Sequence, residues 1–416
     1  KAGSGTLTLS GANTYTGSTT ISAGLLKVLR DDPTSYLAAT SGFTGPGNLT
    51  IESSAGSFTA DIVTGTHVQL AGTALGNLII GKAGNTRQID LSSNITTTGT
   101  QTYNGPVRLV GGDRTVTTTN SNVVFASTVN SDGTQRALTV ANGTGDTTFT
   151  GAIGGSAPVK ALTITSDQLT AGAITLNGAL TATLANASTI SGVIANGGGG
   201  TASLVKAGNG TLTLSASNTY TGTTAINAGD LTVSGSLHDD TAVSIASGAD
   251  YNVNASDTVA SIEGAGNIVL ASGQTLTAGD GNDKTLSGVI SGAGNYIKAG
   301  GGTQTLSASN TYTGTTQVSA GTLTVSGSGR LSDSTAVTVD NGATYNVAVS
   351  DTVASIAGAG SITLGSNTLT SGDSNNQTFS GVISGTNGNI VKAGSGTLTL
   401  SASNTYTGTT QVSAGT

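Results

Sequence analysis

The chain has 416 residues and a net charge of −7, with 64 glycines, 8% charged residues and 3% aromatic residues. It contains no cysteine, methionine or tryptophan, which excludes a disulfide scaffold, a thiolate metal site and a core of large aromatic side chains. The acidic balance makes nucleic acid and anionic membrane surfaces poor partners. No apolar run approaches the roughly 20 residues that a membrane-spanning helix needs, so we expect no membrane insertion.

Short alternations of aliphatic and polar residues run along the whole chain, from Thr6-Leu7-Thr8-Leu9 at its start to segments such as 241–245. This period of two predicts β-strands, and no window shows the 3.6-residue period of an amphipathic helix. Glycine, serine, asparagine and aspartate separate the alternations, as expected for turns. The pattern predicts an all-β chain and argues against the disorder that abundant small polar residues would otherwise suggest.

One motif opens the chain and returns three times. The string KAGSGTLTLS starts at Lys1, close copies start at Lys206, Lys298 and Lys392, and NTYTG follows each copy. We expect the four lysines to lie on turns. We predict that the shared leucines and tyrosines are structural core positions, with the tyrosines packed at one recurrent corner. These residues are Leu9, Leu214, Leu306, Leu400, Tyr15, Tyr220, Tyr312 and Tyr406.

The last three tyrosines of the motif are almost equally spaced, and they define the predicted organisation. We predict a partial motif at 1–24, a divergent section at 25–205, repeat units at 206–297 and 298–391, and a truncated unit at 392–416. The length differences between the two full units fall in stretches rich in glycine, serine, asparagine and aspartate. Such stretches are expected to be turns on the rim of a fixed scaffold.

The divergent section shows a shorter period, because Tyr103, Phe125 and Phe149 open three similar segments at nearly equal spacing. Coils of about 20 residues are typical of solenoids. We therefore predict a parallel β-helix with about 22–24 residues per coil and four coils per repeat unit. The crossover rule makes it right-handed. An array of immunoglobulin-like β-sandwiches is the alternative, but the strands here offer only one or two inward apolar residues each.

The string at 1–17 closely resembles the autotransporter-associated β-strand repeat, also called the passenger-associated transport repeat. The segments at 356–364 and 378–385 are similar to those that precede this repeat in the family. The resemblance covers 1–24 and roughly 188–416, whereas 85–190 resembles repeats of large filamentous-haemagglutinin-type adhesins. It implies a right-handed β-helical passenger on a Gram-negative cell surface, exported through an outer-membrane pore.

Residues that could carry chemistry are few and scattered. His67 is expected in a strand, and His238 begins a His-Asp-Asp sequence that the next unit replaces, which indicates a rim turn. The run 280–283 matches a calcium-binding turn only in part, because that site needs consecutive repeats to complete its ligands. A polysaccharide-cleaving β-helix is the alternative function, since carboxylates on neighbouring coils could form an acid pair. The candidates are Asp31, Asp32, Asp239 and Asp240.

We therefore predict an extracellular structural or adhesive fibre that is not an enzyme and needs no cofactor. The predicted partners are neighbouring repeats of the same longer chain, a host, cell-surface or matrix ligand, and further copies of the chain. The irregular loop 29–47 is the predicted contact surface. Thr-x-Thr pairs are also typical of ice-binding solenoids, but we expect the unequal coil lengths to prevent a flat lattice.

Overall fold

The computed structural model describes residues 1–11, 15, 17–33, 42–70 and 75–416. These residues form two compact units, Lys1–Thr221 and Gly222–Thr416, and they contain β-strands and turns but no α-helix. There is accordingly no helix among them that could span a membrane.

Most strands are short, because glycine or another turn-forming residue interrupts each alternation. In the first unit, the described strands are β1 (Thr6–Leu9), β2 (Thr19–Thr20), β3 (Leu25–Leu29), β4 (Phe43–Thr44), β5 (Asn48–Glu52), β6 (Ile62–Val63), β7 (Leu78–Ile80), β8 (Ile89–Leu91), β9 (Ile95–Thr97), β10 (Gln101–Tyr103), β11 (Val107–Leu109), β12 (Arg114–Thr118), β13 (Val123–Phe125), β14 (Val129–Ser131), β15 (Leu138–Ala141), β16 (Thr147–Phe149), β17 (Leu162–Ser166), β18 (Leu169–Ala171), β19 (Ile174–Leu176), β20 (Ala179–Leu184), β21 (Ser188–Ile190), β22 (Ile194–Asn196), β23 (Ser203–Ala207) and β24 (Thr211–Leu214).

The second unit continues with strands of the same kind. They are β25 (Thr224–Ile226), β26 (Gly229–Val233), β27 (Ala242–Ile245), β28 (Ala249–Val253), β29 (Asp257–Val259), β30 (Ser261–Gly264), β31 (Asn267–Leu270), β32 (Thr275–Ala278), β33 (Lys284–Leu286), β34 (Ile290–Gly292), β35 (Asn295–Lys298), β36 (Thr303–Leu306), β37 (Thr316–Val318), β38 (Thr322–Val325), β39 (Ala336–Val339), β40 (Thr344–Val347), β41 (Asp351–Val353), β42 (Ser355–Gly358), β43 (Ser361–Thr363), β44 (Thr368–Ser371), β45 (Gln377–Phe379), β46 (Ile383–Ser384), β47 (Asn389–Lys392), β48 (Leu398–Leu400) and β49 (Thr410–Val412).

In each unit, strands of successive coils pair in parallel and form ladders along the coil axis. The two long ladders of the first unit run from β1 through β10 to β24 and from β9 through β15 to β23, and a shorter one joins β6, β8, β11 and β14. In the second unit, the ladders run from β25 to β46, from β29 to β48, from β26 to β34 and from β41 to β49. The predicted parallel β-helix is confirmed, and the sandwich alternative is wrong because sandwich strands pair antiparallel. Its right-handed winding stays a prediction.

Every second side chain of a strand enters the interior of the solenoid. On β20, Leu180, Ala182 and Leu184 are completely buried. The aromatic period of the sequence becomes a column, because Tyr103 pairs with Phe125 and Phe125 pairs with Phe149 in successive strands. The ring centroids lie 5.0 and 4.8 Å apart and the rings are stacked. Side chains at equivalent positions of successive coils therefore stack directly on one another, in place of a wide hydrophobic core.

Coil length varies along the chain. In the middle of the first unit, the successive pairing partners Gln101, Val123, Thr147 and Leu169 mark coils of the predicted length. The coils of the second unit are mostly shorter, as in the pairing of Thr344 with Ser361. Tight glycine turns make this possible: Gly264 has φ +118, and a β-carbon there would lie 2.1 Å from the carbonyl oxygen of Ile245.

The sequence repeat of the second unit is not a whole number of coils. Four coils, traced by successive pairings, lead from Thr305 to Ser384, whereas the next copy of the motif places its equivalent at Thr399. The residues of the repeat beyond these four coils form part of a fifth coil. Because of this, the equivalent strands β36 and β48 belong to different ladders. The prediction of four coils per repeat unit is wrong, because short coils place the sequence repeat out of phase.

Gln304 lies in the interior at the position where the other motif copies have leucine. It is 2% exposed, it pairs with Lys284 and Leu323 of the adjacent coils, and its Nε2 donates a long hydrogen bond of 3.4 Å to the Thr305 carbonyl. The buried amide thus makes a long hydrogen bond at a position where the other copies of the motif have leucine. Burying such a polar group lowers stability.

We expect Gln304→Leu to raise the free energy of unfolding by about 1–2 kcal/mol, because leucine needs no hydrogen bonds there. Urea denaturation followed by circular dichroism measures the change. Gln411→Leu, at an exposed position of β49, is the control and should have little effect. A loss of stability in Gln304→Leu would show that its amide contributes a bond that the leucines lack.

Candidate functional site

The lysines that open the last three copies of the motif, Lys206, Lys298 and Lys392, are buried in the solenoid. The expectation of turn positions is wrong for these three, whereas Lys1 is partly exposed and lies outside any strand. Lys298 ends β35 and Lys392 ends β47, and both are buried. The Lys298 Nζ donates to the carbonyls of Ala299 at 2.6 Å, Gly300 at 2.9 Å and Ala320 at 3.1 Å. An ammonium has three donors, and all three are used. We call this ammonium and its three carbonyls the lysine clamp.

The lysine clamp joins two coils. Ala299 and Gly300 form the turn that follows the lysine, whereas Ala320 lies in the next coil. The ammonium of Lys392 donates to Ala393, Gly394 and Ala414 in the same way. Gly300 has φ +66, and a β-carbon there would lie 2.4 Å from the carbonyl oxygen of Asp280. The Lys-Ala-Gly sequence is therefore required both by the clamp and by the close approach of the preceding coil.

The clamp holds a charge without an acidic partner in contact. Burial lowers the pKa of Lys298, and the more distant carboxylates of Asp280 and Asp283 oppose this shift. The long aliphatic stem of the lysine takes the place of an apolar side chain in the interior. Its ammonium reaches the carbonyl groups of the turn that follows β35. The sequence signal was the recurrence of Lys-Ala-Gly at the start of every copy of the motif, which an exposed turn residue would not require.

At the NTYTG part of the motif, side-chain hydrogen bonds connect the coils in place of a ladder strand. The Asn310 Oδ1 accepts a hydrogen bond from the backbone N–H of Ile290 at 2.8 Å. Its Nδ2 donates to the Arg330 carbonyl at 2.7 Å, in the following coil. The hydroxyls of Tyr312 and Thr316 lie 2.5 Å apart. Asn310 thus links the preceding coil to the following one where no ladder strand is present.

The structure places the eight core positions of the motif in two environments. Leu214, Leu306, Tyr220 and Tyr312 are completely buried. Leu9, Tyr15, Leu400 and Tyr406 are half-buried or exposed, because their coils pack against a neighbour on one side. The tyrosines do not share one corner. The loop of Tyr312 bonds to Ile290 of β34, whereas the loop of Tyr406 bonds to Ile383 of β46, which belongs to a different ladder.

Each repeat unit also buries one aspartate beside a tyrosine. The Tyr251 hydroxyl donates to Asp257 Oδ2 at 2.5 Å, and the Leu237 N–H donates to Asp257 Oδ1 at 3.0 Å. Tyr345 and Asp351 form the equivalent pair. Burial raises the pKa of Asp257 to about 6, although the hydrogen bond from Tyr251 opposes this shift. The pair was not predicted from the sequence, but its signal is the recurrence of YNVNASDTV at 251–259 as YNVAVSDTV at 345–353.

The described part of the predicted contact loop lines a polar cavity in the first unit. The cavity has a volume of about 260 Å³, and its lining residues are Ser10, Leu29, Arg30, Asp31, Asp32 and Ser54. Asp31 accepts hydrogen bonds from the Ser53 hydroxyl at 2.7 Å and from the Ser54 hydroxyl at 2.9 Å, and these bonds lower its pKa. Residues 34–41 of the predicted loop 29–47 lie outside the described residues.

The remaining candidate residues lie in turns. The prediction that His67 lies in a strand is wrong, because Gly65, with φ +82, begins a tight turn. The His67 Nδ1 accepts a hydrogen bond from the Val63 N–H at 3.1 Å. The Asp280 carboxylate bonds the backbone and the side chain of Asn282. The His238 Nδ1 lies 3.7 Å from Asp240 Oδ2 in an exposed turn. No group of three potential metal ligands occurs among the described residues.

We expect Lys298→Met to destabilise its coil by about 2 kcal/mol, because three carbonyls lose a charged donor. Hydrogen–deuterium exchange of the amides between 296 and 320 reports the local opening. Lys160→Met is the matched control, since this lysine is 59% exposed and its ammonium lies 3.5 Å from Asp113; its effect should stay below about 0.5 kcal/mol. Equal effects of the two substitutions would contradict the clamp.

We expect acid to stabilise the second unit. The pKa of Asp257 is higher in the folded chain than its ordinary value of 3.8, so the stabilising contribution of its protonated form is complete below about pH 4 and is lost as the pH rises through about 6. The loss amounts to at most about 3 kcal/mol. Urea denaturation between pH 4 and pH 7 measures it.

Asp257→Asn should flatten this pH profile, because an amide does not titrate. Asp333→Asn, in an exposed turn of the same unit, is the control and should retain the profile of the parent chain. A parent profile that is flat or rises toward neutral pH would show that Asp257 is ionised in the folded chain throughout this range.

Comparison with known proteins agrees with the motif analysis. The passenger-associated-transport-repeat model matches residues 1–28, 204–233, 297–325 and 390–416. The whole chain is 34% identical, over 458 aligned positions, to the Adhesin BmaC autotransporter of Brucella suis biovar 1 (strain 1330), and it spans 12% of the length of that protein. No solved structure gives a significant match. The predicted resemblance to the passenger-associated transport repeat is confirmed: the chain carries this repeat and is similar along its whole length to part of an autotransporter adhesin.

Proposed function

We propose that the chain is a section of an extracellular adhesive fibre on a bacterial surface. The observation that carries this proposal is the direction of the repeated polar groups. Lys298, Asn310 and Asp351 all point into the stack and bond neighbouring coils. The repeats therefore specify how coils stack, and they leave the rim free to vary and to make contacts. The adhesin to which the chain is similar supports an adhesive role and an extracellular location.

We propose that the contact surface of the first unit includes the polar cavity beside the loop 29–47. Arg30 is 8% exposed, and its Nε and Nη2 have no hydrogen-bond partner among the residues that the structure describes. Asp31 and Asp32 line the same cavity. A cation beside two carboxylates offers donors and acceptors to a polar ligand, such as a sugar or a peptide of a host or matrix surface. Neighbouring repeats of the longer chain are the other partners of the fibre.

Latex beads coated with the purified chain should adhere to cultured epithelial cells or to surfaces coated with extracellular matrix. Arg30→Gln combined with Asp32→Asn should reduce adhesion, because it removes the charges of the cavity. His238→Ala combined with Asp240→Ala, in an exposed turn of the second unit, is the matched control and should leave adhesion unchanged. Beads that adhere no better than albumin-coated beads would contradict the adhesive function.

Polysaccharide cleavage is the second candidate function, because Asp31 and Asp32 both line the cavity. Two carboxylates beside a sugar-binding cleft are the requirement for glycoside hydrolysis. Incubation of the chain with plant, bacterial and host polysaccharides, followed by an assay for new reducing ends, tests it. Release of reducing ends that is lost in Asp31→Asn and Asp32→Asn would establish an enzyme in place of an adhesin.

A further inference from the structure

One ladder of the first unit presents two rows of threonine to solvent. The ladder contains β9, β12, β15, β17 and β20, which pair in register. The first row is Thr115, Thr139, Thr163 and Thr181; the second row is Thr96, Thr117, Thr165 and Thr183, with Ala141 between Thr117 and Thr165. We call these eight threonines the threonine face.

The threonine face points outward. The residues between its two rows, Val116, Val140, Ile164 and Ala182, are completely buried. Because side chains alternate along a strand, the threonines on either side of them lie on the solvent side. All eight are partly or fully exposed. The outward positions of these strands therefore carry a hydroxyl and a methyl group at nearly every point.

The spacing of the face is regular although the coils differ in length. The stretch of chain between paired threonines is longer from Thr139 to Thr163 than from Thr163 to Thr181, yet both pairs are in register. Unequal coil lengths therefore do not disturb the register of the two rows, because the ladder sets the register and the additional residues lie in the turns. The rows therefore lie about 6.6–6.8 Å apart, with about 4.8 Å between strands.

The hydroxyls of the threonine face are unused. In the part of the chain that the structure describes, none of these eight hydroxyls has a hydrogen-bond partner. By contrast, the hydroxyls of Thr97 and Thr118, at the ends of two of the same strands, donate to the carbonyls of Gly99 and Ser121. This ladder thus satisfies the inward hydroxyls of Thr97 and Thr118 and leaves a two-dimensional array of outward hydroxyls to the solvent.

The chemistry of the threonine face determines which kind of ligand it can bind. Its outward positions carry neither a charge for phosphate nor an aromatic ring for sugar stacking. Its extent, five strands about 4.8 Å apart and two rows wide, is far below the roughly 800 Å² per partner that a stable protein interface needs. A lattice of ordered water suits it, because ice repeats at closely similar spacings and presents donors and acceptors to each hydroxyl. We propose that the threonine face binds ice.

Binding to ice goes beyond adhesion to a host and does not depend on the polar cavity. Each threonine contributes a weak contact, but the contacts act together because the ladder holds the eight threonines in a fixed register. The methyl groups exclude mobile water between the rows, and the hydroxyls replace lattice sites of the crystal. A bulky charged side chain within either row would keep the remaining threonines away from the crystal.

Two assays test the proposal on the whole chain: inhibition of ice recrystallisation in a frozen sucrose film, and enrichment in ice grown slowly on a cold finger. The parent chain should slow recrystallisation and partition into the ice. Thr139→Lys combined with Thr163→Lys should abolish both activities. Thr148→Lys combined with Thr170→Lys, on outward positions of the ladder that contains β16 and β18, is the matched control and should retain both.

Circular dichroism and urea denaturation establish that both double variants fold, and Thr139→Ser combined with Thr163→Ser should retain part of the activity because it keeps the hydroxyls. A parent chain that leaves ice growth unchanged and is excluded from the ice like albumin would overturn the proposal. So would equal loss in the two lysine variants, because the effect would then follow net charge and not the threonine face.

Discussion

The backbone hydrogen bonds between successive coils determine where every side chain of this protein lies. A parallel ladder fixes which residue of one coil stands above which residue of the next, whatever the number of residues between them. The aromatic column of Tyr103, Phe125 and Phe149 and the threonine rows of β12 to β20 are consequences of the same register. Insertions therefore change turns and leave both the core and the outer faces in order.

Polar groups inside such a stack are retained where they connect coils. An ammonium or a carboxylate in the interior loses its hydration, so its contribution to stability is small unless the protein satisfies all its bonds. The clamp of Lys298 uses three carbonyls, and Asn310 spans from Ile290 to Arg330. These groups are directional, whereas aliphatic contacts between stacked coils tolerate sliding. We infer that these polar groups specify the register of the coils. Gln304 differs from them, because its amide makes one long hydrogen bond and does not connect two coils.

The sequence predicted the features that depend on local pattern. Alternation in segments such as 241–245 and the spacing of Tyr103, Phe125 and Phe149 were sufficient to predict parallel coils and inward columns. The phase of the repeat was not predictable in this way, because it depends on the sum of several coil lengths, and a small error in each moves a motif to another ladder. The burial of Lys298 was missed because composition places lysine at surfaces, and only the carbonyls of two coils make the interior acceptable to it.

The incomplete coil in each repeat affects what the fibre can bind. Since β36 and β48 carry equivalent sequences in different ladders, outward residues of successive copies face different directions. A ligand that lies along one face therefore does not meet the same repeated sequence in adjacent units. Inward groups are unaffected, because each needs only its neighbouring coils. Recognition is thus expected where the chain departs from the repeat, at the cavity of Arg30 and Asp32 or on the threonine face, and the repeats supply the rigid support.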